Sequence, residues 1–126
     1  MNNYTLSADI IIITILILVI DCFYLYGIRN IFSKQIMDVQ NSPLKMDFLA
    51  AVLCYILIVF GLYYFIIREN KSVFEAFMFG VVIYGIYELT TKAIITNWRW
   101  QTVLLDSVWG GILFGIVTAI FYQYKK

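Results

Sequence analysis

Histidine is missing from this chain of 126 residues, and proline occurs once, at Pro43. Without histidine the usual zinc sets and haem ligation cannot be assembled, so neither a metal nor a cofactor is expected. The two cysteines, Cys22 and Cys54, lack a CxxC spacing and read as small apolar packing residues rather than a redox pair. Charge is scarce as well. Only 13% of residues are charged, the net charge is +1, and no basic run exceeds Lys125-Lys126. That leaves no patch for a phosphate backbone and excludes nucleic acid as a partner.

What is abundant is hydrocarbon. Hydrophobic residues make up 63% of the chain and the mean hydropathy is +0.86, more than a soluble core of this size could bury. The chain therefore reads as an all-α, multi-pass integral membrane protein: a single transmembrane domain over 1–126, built as a four-helix bundle in a lipid bilayer. Helices are expected at about 10–28, 48–67, 73–95 and 102–122, each long enough for a hydrocarbon core of ~30 Å at ~1.5 Å per residue. Met1 to Asp9 contain no lysine or arginine and no small-residue cleavage site follows, so the first run is expected to be retained.

With four crossings, both termini fall on one side, here side A. The connection from Arg29 to Asp47, on side B, contains the turn signal Asn41-Ser42-Pro43 and is expected to be a loop or a surface-lying segment. Arg68 to Ser72 is a tight turn. Thr96 to Gln101 carries Trp98 and Trp100, expected as interfacial anchors. Basic residues divide almost evenly between the sides, which leaves orientation unset.

Small residues mark packing faces. Ser107, Gly111, Gly115 and Ala119 recur every four positions on the fourth helix, and Gly80 begins a stripe with Ala76 on the third. On the second, Ala50, Cys54, Leu57 and Gly61 follow seam spacing. The Gly111/Gly115 stripe faces either a sister helix or another copy of the chain, so a homo-oligomer stands beside a compact bundle as its meaning.

Against this apolar background stand three acids, Asp21, Glu88 and Asp106, one on each of three helices. A central acid costs roughly 2.5 to 3.5 kcal/mol to insert, so something must compensate. Counting residues from the helix ends places all three roughly 6 to 11 Å below face B. They form one layer, which favours a pocket open to B over a wire of titratable groups across the membrane. Helical spacing sets Tyr24 beside Asp21, Tyr84 and Lys92 beside Glu88, and Trp109 beside Asp106. Lys92, one turn after Glu88, is expected to form an ion pair with it.

Asp21 near the end of helix one, Tyr55 and Gly61 on helix two, the run Gly80-x3-Tyr84-x2-Tyr87-Glu88-Leu89-Thr90, and Trp98-x7-Asp106-x2-Trp109-Gly110 together resemble a family of small membrane proteins, domain of unknown function 2177. The resemblance spans nearly the whole chain and implies four helices, with no established activity. The Asp-x-x-Trp-Gly ending is its more specific part. Where the family has Tyr-Asp-Leu-Thr-Asn, this chain has Tyr87-Glu88-Leu89-Thr90-Thr91, so the acid is one methylene longer and an amide is absent.

Three functions compete. The acidic layer, walled by tyrosine and tryptophan, suits transport or channel-like binding of a proton, a small cation or an amine. A membrane-embedded enzyme would use two acids on a lipid or isoprenoid head group, although no nucleophile-base pair or phosphate-cradling loop is present. In a structural or assembly component, Lys92, Arg99 and tyrosine hydroxyls would neutralise the acids in a knot that fixes helix register, with Arg29 near the same rim.

Overall fold

The computed structural model describes residues 3–126. Five helices account for most of them: α1 (Asn3–Gly27), α2 (Arg29–Gln40), α3 (Phe48–Leu62), α4 (Val73–Ile94) and α5 (Trp100–Lys125). A π-helical turn, Tyr63–Ile67, continues α3 and is closed by the Arg68 amide donating to the Tyr63 carbonyl at 2.8 Å. Four segments are long and apolar enough to cross a membrane: Leu6–Gly27, Phe48–Ile67, Val73–Ile94 and Trp100–Lys125. At ~1.5 Å per residue even the 20-residue segment reaches ~30 Å. The chain is a four-span, all-α membrane protein.

Local chemistry sets the ends. Asp47 accepts the Ala50 amide at 3.1 Å and caps α3. Ser72 and Glu75 form a reciprocal capping box that starts α4 straight out of the tight turn. Asn41, in left-handed conformation at φ 57°, ends α2, as asparagine tolerates better than most residues.

Helix α5 is the hub. Leu113, Phe114 and Val117 on its inner face are fully buried with Ile13 and Ile17 of α1 and Leu62 at the end of α3. Helix α4 packs on α5 most closely, because Gly80 lies against the Gly110 carbonyl and Gly111 lies under Val81 and Phe77. Gly115 approaches Val73 and Phe77 of the same helix, and Ser107 approaches Gly85. The small-residue stripe of α5 thus faces a sister helix within the chain.

Side A is tied by Lys125, whose ammonium meets the buried Asp9 carboxylate at 3.2 Å, and by Tyr122, whose hydroxyl donates to the Lys71 carbonyl at 2.6 Å. Side B is closed by α2, which forms within the connection expected as a loop or surface-lying segment. Gln35 has 0% exposure. Its Nε2 donates to the Asn97 carbonyl at 2.8 Å, and its Oε1 accepts from the Arg99 amide at 2.9 Å and the Thr102 hydroxyl at 3.0 Å. Asn97 returns a bond to the Asp38 carbonyl, and Arg99 pairs with the Asp38 carboxylate. An amphipathic helix is thereby pinned onto the α4–α5 turn.

Two packing expectations fail. Ala50, Cys54 and Leu57 face outward, whereas Ile58, Val59 and Leu62 turn inward, so the seam spacing on α3 marks a lipid-facing surface apart from Gly61. Both cysteines are exposed instead of packed. In lipid an outward-facing thiol costs little, so the burial preference of cysteine in water does not carry over.

Candidate functional site

The three acids meet at the end of the bundle beneath α2 and the α4–α5 turn. Asp21, on α1, accepts the Trp109 indole at Oδ1 at 2.9 Å and the Tyr55 hydroxyl at Oδ2. Asp106, on α5, accepts the Tyr24 hydroxyl at Oδ1. Glu88, on α4, accepts the Trp98 indole at Oε1 at 3.2 Å, and the Asp106 carboxyl group is its neighbour in the cluster. Tyr24 and Trp109 bind the rows together, stacked with ring centroids 4.3 Å apart and planes 2° from parallel. Each ring thus packs on the other while donating to an acid on the opposite helix.

All four donors are neutral. Tyrosine hydroxyls and indole N–H groups stabilise a carboxylate without cancelling its charge. The basic residues expected nearby are engaged elsewhere: Arg29 lies over the Tyr26 ring, Arg99 pairs with Asp38, and the Lys92 ammonium stands 5.8 Å from the centre of the Trp100 ring. The expected Glu88–Lys92 ion pair is therefore not formed. Glu88 faces the bundle, where an ammonium would be stripped of water, whereas Lys92 extends toward the aqueous rim.

Asp21, Tyr24, Glu88, Asp106 and Trp109 are all brought into this cluster. Tyr84 acts differently: its ring covers Gly110 and meets Phe114 edge-on at 6.2 Å, as part of the α4–α5 packing. Gly80, Ser107, Gly111 and Gly115 serve the same contact. The expected opening to side B is closed over two of the acids. Glu88 has 0% exposure and Asp21 6%; Trp98, buried at 3% instead of anchoring at the interface, covers Glu88 and meets Phe32 of α2 edge-on, while Tyr55 and Trp109 cover Asp21. Trp100 does stand exposed.

Three participants, Tyr55, Trp98 and Gln35, were not assigned to the site by sequence reasoning. Tyr55 carried a usable signal, since it lies seven residues inside the start of α3, the depth counted for Asp21 from the other direction. Beside Tyr55, a groove of about 510 Å³ opens between α1 and α3, lined by Thr14, Leu18, Phe48, Val52, Tyr55 and Tyr63 among others. Thr14 spends its hydroxyl on the Ile10 carbonyl at 2.7 Å, which leaves that wall apolar.

No curated protein and no solved structure matches the chain. A family model does, over residues 6–123, which take in the first three spans, the fourth as far as Gln123, the three acids and the aromatic residues that serve them. The chain belongs to the family described as predicted membrane protein, DUF2177.

Proposed function

We infer that this protein binds a proton, a small cation or an amine at the carboxyl cluster beneath α2, in a transport or channel-like role. The observation that supports this most directly is the absence of any basic partner for Asp21, Glu88 and Asp106 among the described residues, whereas Asp9 and Asp38 each have one. Uncompensated carboxylates inside a bundle attract whatever positive charge can reach them. In proteoliposomes, cation or proton flux should fall about tenfold or more with Asp21→Asn, Glu88→Gln or Asp106→Asn, the expected scale when one charged hydrogen-bonding group is removed. Flux unchanged in all three variants would defeat the proposal. Lower thermal stability with unaltered flux would instead assign the cluster to fixing helix register in a structural or assembly component.

The groove between α1 and α3 favours a second reading, in which the acids act on a lipid or isoprenoid head group whose chain lies along α3. Its walls are apolar, and the Tyr55–Asp21 hydrogen bond adjoins it. On this reading native mass spectrometry should find a lipid of defined mass retained by the wild type, with retention reduced at least several-fold by Val52→Trp, which fills the groove. A protein that emerges free of lipid counts against it.

A further inference from the structure

The carboxyl cluster leaves one hydrogen atom unaccounted for. Asp21 is complete, with one donor on each oxygen. Glu88 and Asp106 are not: Trp98 serves Oε1 of the first and Tyr24 serves Oδ1 of the second. The remaining Glu88 oxygen, Oε2, is fully buried and has no hydrogen-bond donor. An orphaned carboxylate oxygen at zero exposure is among the costliest polar defects in an apolar interior. The neighbouring carboxyl group is that of Asp106, and a proton held between the two would give Oε2 the partner it lacks, since two carboxyl groups share a hydrogen bond only when one carries a proton.

We propose that Glu88 and Asp106 together hold one proton in the resting protein, forming a carboxylic acid–carboxylate pair, while Asp21 remains a carboxylate. The proposal rests on the cation-binding reading above and narrows it, naming a single proton as the resident ligand and this pair as its site. Proton uptake converts one carboxylate to a carboxylic acid with no other bond made or broken, and release reverses it. The geometry favours a proton over a metal ion, because no group of three acid or thiol side chains among the described residues is arranged to hold one. The titratable groups that neighbour the pair are Asp21 and Tyr24 on α1 and Tyr84 and Tyr87 on α4, while Tyr55 and Cys54 of α3 lie beside Asp21. None is basic.

The other acids predict a clean measurement. Asp9, Asp38 and Glu69 face cations, and Asp47 and Glu75 accept backbone amides, so each has a donor of its own outside the cluster. Infrared spectra of the protein in nanodiscs at neutral pH should therefore show one protonated-carboxyl C=O band, shifted by deuterium exchange. Glu88→Gln and Asp106→Asn should each abolish it, since the new amide brings its own hydrogen to the surviving carboxylate, and Asp21→Asn should leave it. If a single variant fails to fold, the wild-type spectrum still decides, as does Glu88→Asp, which shortens the reach and should weaken or shift the band. A wild type with no such band overturns the proposal, as does a band that survives both amide substitutions. A band that appears only when sodium and other small cations are removed also overturns it, because a metal ion would then be the resident ligand. Flux that persists after the band is lost would sink the transport reading and leave the shared proton standing.

Discussion

Gly80→Val should abolish the folded bundle. A Cβ at Gly80 would occupy the place of the Gly110 carbonyl, and one at Gly110 would come within 2.7 Å of the Gly80 carbonyl. Both obstacles are backbone, so no rotamer change relieves them. The helices must separate, which also lifts Tyr84 from Gly110 and Val81 from Gly111. The penalty expected is ~3 kcal/mol or more, at the upper end of overpacking effects. Gly85 is the internal control. A Cβ there meets only the Ser107 hydroxyl oxygen at 3.7 Å, an ordinary contact. Gly85→Ala should therefore be tolerated, with a gain of up to ~1 kcal/mol from helix propensity. Size-exclusion profiles and thermal transitions in detergent compare the two directly. A wild-type transition in Gly80→Val would mean that α4 and α5 do not pack through these glycines.

Gln35→Leu should release α2 from the bundle while leaving the four spans in place. The substitution removes one acceptor and one donor with little change in side-chain size, and strands the Arg99 amide, the Thr102 hydroxyl and the Asn97 carbonyl. A buried group left without a partner costs about 1–3 kcal/mol, which applies in full to Thr102 and in part to the half-buried Arg99 amide and Asn97 carbonyl, so the total is ~2–3 kcal/mol if α2 stays docked. Undocking is the cheaper outcome, because water then satisfies all three. Amide hydrogen exchange should rise sharply over residues 29–40 and 97–102 and change little in α5 around Phe114. Unchanged exchange in residues 29–40 would show that the apolar face of α2, and not Gln35, holds it down.

The spans were legible because hydrocarbon thickness imposes a length that a residue count measures directly. The same count placed Asp21, Glu88 and Asp106 in one layer, and the structure joins Asp21 to Asp106 through Tyr24 and Trp109, with Glu88 as the neighbouring acid. Facing was harder to read. Lipid is as apolar as the bundle interior, so hydrophobicity does not say which side of α3 is inside, and the Ala50, Cys54, Leu57 spacing pointed outward. Tyr55, on the inward side, was overlooked as a partner for Asp21 for the same reason. Glu88 and Lys92 have the spacing of an exposed helical pair, but that rule describes helices in water and gives way once one partner is buried. Trp98 reaches Glu88 from a turn ten residues on, and Gln35 reaches that turn from another helix, contacts that no local pattern encodes.

Helix α3 stands apart from α1 along the apolar groove and rejoins the core at Val59, Leu62, Ile66 and Ile67. The Tyr55 hydroxyl bridges that gap to Asp21, the same carboxylate that receives Trp109. Hydrocarbon that wedges the two helices apart must stretch this bond, and a change in the charge of Asp21 must loosen or tighten it. Each event therefore alters the free energy of the other by one common amount. Hydrocarbon entering that groove would then act as an effector of the Tyr55–Asp21 bond as well as a solvent for the helices, and lipid thickness and chain order would become variables in any measurement on the cluster.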